Sequence, residues 1–134
     1  MLMNNIKKHE TANFDWLVEY YNSGILSAFI VDSSDLAIKV KTLDGIITLW
    51  NKGSEKIYGY SQNEMIGQNV QVIVPKKFIK ELHDTSAACA KGETIYNLKT
   101  QRIKKDGTLI HVSLSFFPIK NETGNIVGIA SIDK

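Results

Sequence analysis

Residue types able to do chemistry are present in this sequence, but their spacing is not that of a reaction centre. His9, His83 and His111 are far apart and show no HxxxH or similar pattern, so no element offers two imidazoles to one metal ion. Cys89 is the single cysteine, which rules out an internal disulfide and any multi-thiolate metal site. Gly53-Ser54 lacks the Gly-x-Ser-x-Gly frame that would hold a serine on a strained strand-to-helix turn. Lysines and carboxylates abound, but they fall in turns and on polar helix faces, where solvation accounts for them. No catalytic residue and no metal ligand is assigned, and the chain is not expected to be an enzyme.

Composition narrows the partners. The formal charge of +2 is the balance of 16 Lys+Arg against 14 Asp+Glu over 134 residues. A nucleic-acid reader concentrates positive charge on one face. Lys76-Lys77 and Lys104-Lys105 are the tight basic pairs within the domain, and each reads as a solvated turn or helix end. No apolar run approaches the roughly eighteen residues that span a bilayer. Residues 1–10 lack the apolar core of a signal peptide. With 43% hydrophobic residues, the chain fits one domain burying about two-thirds of its unfolded surface. We expect a soluble, cytoplasmic domain with no nucleic-acid partner and no membrane segment of its own.

The elements follow from periodicity and punctuation. From Thr11 the pattern is helical, with Phe14, Leu17, Val18, Tyr21 and Ile25 on one stripe and Trp16 and Tyr20 on another face. Residues 1–24 read as a leader and amphipathic helix, and 25–134 as the domain proper. Residues 37–42 alternate, with Ile38 and Val40 assigned inward and Lys39 and Lys41 outward. Asp44-Gly45 then predicts a type I′ hairpin turn into residues 46–50. Asn51 caps a short helix stopped at Gly59, and Ser61 to Glu64 forms a capping box closed at Gly67. Pro75 opens the longest inner helix, which runs to Lys91 with Gly92 beyond it.

Three strand candidates complete the chain: residues 93–104, 108–120 and 125–132. They are separated by Lys105-Asp106-Gly107 and Asn121-Glu-Thr-Gly124. The middle one places Ile110, Val112, Leu114 and Phe116 on one face, with His111, Ser113 and Ser115 on the other. Two strands, a helical crossover and three strands predict an α+β fold: a five-stranded antiparallel sheet with helices on one face.

The ordered set of motifs resembles the PAS (S-box) family. It comprises Leu43-Asp-Gly-Ile-Ile-Thr-Leu-Trp-Asn51, Glu55-Lys-Ile-Tyr-Gly-Tyr60 and Glu64-Met-Ile-Gly67. Downstream come Gly92-Glu93, Arg102-Ile-Lys-Lys-Asp-Gly107, Val112-Ser-Leu-Ser115, Pro118-Ile119 and Gly124-Asn-Ile-Val-Gly-Ile129. The resemblance spans residues 25–134. It implies sheet order 2-1-5-4-3 and a pocket between the sheet and the long helix. It also implies a sensory role in signal transduction: histidine kinases and two-component phosphorelays, diguanylate cyclases, or regulators of transcription. The output domain would belong to a longer parent protein.

Cofactors known in that family are tested residue by residue. The flavin-binding LOV branch carries a reactive cysteine in Gly-x-Asn-Cys, whereas Gly67-Gln-Asn-Val70 places Val70 there. Flavin of the LOV type is not expected. Haem sensors carry an iron-ligating histidine on the long helix, but His83 points away from the stripe of Phe78, Leu82, Thr85 and Cys89, so haem is not expected either.

The pocket implied by the resemblance has apolar candidates in Ile38, Val40, Ile47, Leu49, Ile57, Ile66, Val70, Ile73, Phe78 and Leu82. Further along the chain, Tyr96, Leu98, Val112, Leu114 and Ile129 join them. Asn51, Thr85 and Ser86 are the candidate polar contacts, with helix capping as the alternative reading of Asn51. A homodimer is expected through Phe14, Trp16, Leu17, Tyr20 and Tyr21, because a helix apolar on two faces needs two surfaces to cover it. The reading is a ligand-binding sensory domain; its alternative is a ligand-free dimerisation or protein-interaction module.

Overall fold

A computed structural model describes Gly24 and residues 30–134 of the chain. Residues 34–134 make one compact unit, which carries all that follows. Its strands are β1 (Ala37–Thr42), β2 (Ile47–Trp50), β3 (Ile95–Ile103), β4 (Leu109–Lys120) and β5 (Ile126–Asp133). They form one antiparallel sheet in the order β2-β1-β5-β4-β3, as expected. Between β2 and β3 lie α1 (Lys52–Tyr58), α2 (Gln62–Met65), two 3₁₀ turns (Val70–Ile73 and Lys76–Phe78) and α3 (Ile79–Ala90).

The three hairpins share one loop. Gly45 N–H donates to Thr42 O at 3.0 Å, Gly107 to Lys104 O at 2.9 Å and Gly124 to Asn121 O at 3.0 Å. Each glycine then takes φ between +85° and +92°. This is the three-residue loop of a type I turn followed by a left-handed residue. The type I′ expectation at Asp44-Gly45 is therefore corrected: Asp44 keeps φ below zero, and Gly45 alone needs the left-handed region.

Helix punctuation works as the residues suggest. The Asn51 side chain accepts from Ser54 N–H, and Gly59 closes α1 with φ 80°. Ser61 and Glu64 form a reciprocal capping box on α2. Asn69 caps the first 3₁₀ turn. The long helix differs at its start, where a 3₁₀ turn after Pro75 precedes α3.

The helices and turns pack on one face of the sheet. Ile47, Trp50, Tyr58, Met65, Ile73 and Leu82 fill one end of that core. Cys89, Val112, Leu114, Phe116 and Ile129 fill the other. The segment after α2 is bonded to the sheet edge: Ile47 N–H donates to Gln68 O, and Val70 N–H to Gly45 O, both at 2.9 Å. That pairing fixes Val70 over the inner face.

Two facings differ from expectation. On β1 it is Ala37, Lys39 and Lys41 that point inward and are buried, while Ile38 and Val40 lie on the other face, half-buried. The alternation was real, but both faces of this sheet are apolar, so it did not say which face was inside. On β2 a bulge pairs Val40 with Leu49 and Lys41 with Ile47. The extra residue puts Ile47 on the inner face and Leu49 on the outer, although they are two apart.

Candidate functional site

The inner face of the sheet carries a polar band. Lys39 and Lys41 on β1, Ser131 and Asp133 on β5, and Thr100 and Arg102 on β3 are all buried. The strand register brings the first four together: Lys39 pairs with Ser131 and Ala37 with Asp133. Alanine at position 37 leaves room for the Lys39 ammonium to reach Asp133 diagonally. The two form an ion pair. Tyr58 OH, from α1, donates to Asp133 Oδ2 at 2.5 Å, and Ser131 Oγ donates to Oδ1 at 2.5 Å. Asp133 is thereby held by three donors from three elements. A carboxylate without such partners would not be stable in this interior.

The other two cations are less well matched. Lys41 Nζ donates to the Ser86 hydroxyl of α3 at 3.0 Å and lies 5.7 Å from the Phe116 ring centre. Burial, then the nearby Lys39 and Arg102 charges, pull the Lys41 pKa down to about 8. Arg102 Nη1 donates to the Gln101 carbonyl at 2.9 Å. Desolvation lowers its pKa, while Tyr58, Asp133 and Glu81 act in the opposite sense. Desolvation likewise lowers Lys39 and, with Asp133, raises Tyr58 well above its ordinary value.

These groups surround a small cavity under α3. Its lining includes Lys39, Lys41, Arg102 and Ser131, closed by Val70 and Leu82. The open space is about 10 Å³, room for about one water. Lys41, Val70 and Leu82 also line a wider cleft of about 310 Å³ between the β1–β2 turn and α3. These three side chains are the wall shared by cavity and cleft. Among the described residues, no group of three or more His, Cys, Asp or Glu side chains is placed to hold a metal ion.

A family model described as PAS domain matches residues 34–133. The chain belongs to the PAS domain family. A crystal structure of a PAS domain from Colwellia psychrerythraea is 31% identical; the match covers 81% of this chain and 92% of that one, with TM-score 0.74. The PAS domain of an HTR-like protein from Haloarcula marismortui is 16% identical, covering 92% and 98%, with TM-score 0.68. An RNA-binding Light-Oxygen-Voltage receptor is 20% identical, with TM-score 0.74. The match covers 84% of this chain but 32% of the receptor, and at these identities the last two share the fold alone. No curated protein matches the chain. PAS domains are sensory modules rather than catalysts, and no helix among the described residues is long and apolar enough to cross a membrane.

In this PAS domain, Ile47, Val70, Leu82 and Ile129 line the inner cavity, and Ser86 lines the outer cleft. Ile73 and Leu114 are plain core, while Val112, with Phe78, lines a second open cleft of about 480 Å³ beside β3 and β4. Ile57, Phe78 and Leu98 are half-buried against that core. Ile38, Val40 and Leu49 face away. Ile66 is exposed on the turn after α2. Tyr96 is 68% exposed, because a bulge at Tyr96-Asn97, with Asn97 at φ 52°, turns it to the outer face. There it meets Phe117 edge to face at 5.8 Å. The Thr85 hydroxyl donates to its own helix at Leu82 O, 3.0 Å.

Asn51 is a structural staple between β1 and α1. Its Oδ1 accepts from Ile38 N–H at 2.8 Å and Ser54 N–H at 2.9 Å, and its Nδ2 donates to Leu36 O at 3.0 Å. His83 is exposed on α3, with Nε2 3.3 Å from Gln71 Nε2 at the cleft. Lys39, Lys41, Arg102 and Ser131 were missed. A lysine alternating with valine is assigned outward unless its partner is visible, and Asp133 lies more than ninety residues away in sequence. The dimer candidates Phe14, Trp16, Leu17, Tyr20 and Tyr21 lie outside the described residues.

Proposed function

We propose that this domain is the sensor of a cytoplasmic signal-transduction protein. It takes a small ligand between the sheet and α3 and passes the event to an output domain of kinase, cyclase or transcription-regulator type. The supporting observation is the buried polar band converging on a cavity that meets an open cleft at Lys41. Burying cations costs several kcal/mol each unless they are compensated. A core needed only for packing gains nothing from two cations matched to neutral oxygens. Native mass spectrometry of the full chain tests the reading. A stoichiometric small-molecule adduct, lost on denaturation, is expected. A bare mass, with no ligand from a broad panel raising the melting temperature, would overturn it.

The small volume of the inner cavity favours a second reading, a ligand-free interaction module. In either case we infer a homodimer through Phe14, Trp16, Leu17, Tyr20 and Tyr21. Light scattering on the intact chain and on Trp16→Ala/Tyr20→Ala decides: dimer lost in the variant supports it, and monomer in both sinks it. Flavin and haem are not the proposed ligands. Val70 has no thiol for a photoadduct, the cavity does not admit a tricyclic ring, and His83 is held at the surface. An absorption spectrum with a stoichiometric flavin or Soret band would reverse this.

A further inference from the structure

Resting on the sensory reading, we propose that the ligand is a small organic acid whose carboxylate enters through the cleft and takes the Lys41 ammonium as its counter-ion. The charge inventory of the inner face leads there. Three cations, Lys39, Lys41 and Arg102, are buried. Asp133 is spent on Lys39, Tyr58 and Ser131. Glu81, half-buried on α3, offsets part of the Arg102 charge. One positive charge is left over, and geometry makes it Lys41, whose hydrogen-bond partner is the neutral Ser86 hydroxyl.

Lys41 also stands between the cleft and the cavity. It belongs to both the inner cavity and the 310 Å³ cleft, whereas Lys39 and Arg102 belong to the cavity alone. The cleft offers an apolar wall in Val70, Leu82, Ala87 and Ala90 for the body of the acid. Asp44 is the acidic group of the cleft, and it sits exposed in the β1–β2 turn, where water and salt screen it. A single surplus charge on the wall of the cleft matches a monocarboxylate better than a dianionic phosphate. In a site of low dielectric, that pairing repays the desolvation of Lys41, which Asp133, already paired with Lys39, offsets only in part.

Hexanoate, with 1-hexanol as its uncharged counterpart, tests this on the full chain by calorimetry and thermal melting at pH 7. Hexanoate is expected to bind and raise the melting temperature, and hexanol to do so at least about tenfold more weakly. Ser86→Glu, on the half-exposed side of α3, supplies an internal carboxylate to Lys41. It should be more stable than the parent and blind to hexanoate. Lys41→Met should lose hexanoate binding as well. Equal binding of hexanoate and hexanol would overturn the anion assignment while leaving a sensor of uncharged ligands. Hexanoate binding that survives Ser86→Glu would overturn the role of Lys41. No response to hexanoate would overturn the organic-acid proposal, and if native mass spectrometry also shows a bare protein, the sensory reading falls with it.

Discussion

Lys39 on β1 and Asp133 at the end of β5 form an ion pair sealed inside the sheet face, at 4% and 0% exposure. Buried pairs are weak stabilisers as wholes and strong destabilisers when halved, because the survivor is left charged in a poor solvent. Asp133→Asn is therefore expected to cost about 3–5 kcal/mol in urea melts. The double variant Lys39→Met/Asp133→Leu should recover most of that loss. A double variant no better than Asp133→Asn would show that Tyr58 and Ser131, and not Lys39, dominate the site.

Leu114 and Ser113 check the facing of β4. Leu114 is fully buried between Leu98 and the second core cluster, and Ser113 lies on the opposite face beside Lys99. Leu114→Ala should destabilise by about 2–5 kcal/mol, as large-to-small core changes do. Ser113→Ala should change little. Equal effects in urea melts would contradict the register.

What sequence alone could read divides along physical lines. Local chemistry was legible: the Asn51 cap, the Ser61–Glu64 box and the glycines of the three hairpins depend on neighbours a few residues away. Sheet order followed from family resemblance, and the core face of β4 from clean alternation. The inward lysines were not legible, since Lys39 is defined by Asp133 and Lys41 by Ser86, partners remote in sequence. Bulges hid two more residues: one extra residue in β2 and one in β3 turned Leu49 and Tyr96 outward, and a period-two count cannot register that. Four of the nine residues lining the cavity were named: Ile47, Val70, Leu82 and Ile129. The five missed were Phe116 and the polar band of Lys39, Lys41, Arg102 and Ser131.

Gly53 tests the seat of α1. A Cβ there would lie 2.0 Å from the Leu36 carbonyl oxygen, a backbone atom already bonded to Asn51 Nδ2. Neither backbone can yield without breaking the Asn51 staple. Gly53→Ala should therefore destabilise by at least about 1–3 kcal/mol, despite alanine's higher helix propensity. Lys52→Ala, one residue earlier and exposed, is the control and should be nearly neutral. A Gly53→Ala melt matching Lys52→Ala would mean that α1 sits further from the strand than described.

The pH dependence of stability tests the burial of Lys41. Its folded pKa is about 8 against an ordinary 10.5. Between those values the unfolded chain binds more protons than the folded one, so unfolding free energy rises with pH across that window. Below about pH 8 both states are charged and the full cost of burial remains; above about 10.5 neither is charged and the cost is gone. The total is at most about 3 kcal/mol. Other groups face the same space: Lys39 from β1, Arg102 from β3, Asp133 from β5, Tyr58 from α1, and Glu81 from α3. Tyr58 and the Cys89 thiol near Lys41, both raised by burial, stabilise less as pH climbs past their ordinary values, so the reading is the difference between Lys41→Met and the parent between pH 7.5 and 9.5. In urea titrations across that range, Lys41→Met should be more stable than the parent at pH 7.5, by a margin that shrinks steadily as pH rises. A margin that stays constant would show that Lys41 does not titrate there and that its ammonium is better compensated than Ser86 alone allows. Hexanoate supplies the complementary sign. It needs the charged lysine, so its affinity should fall over the same interval in which the empty protein gains stability.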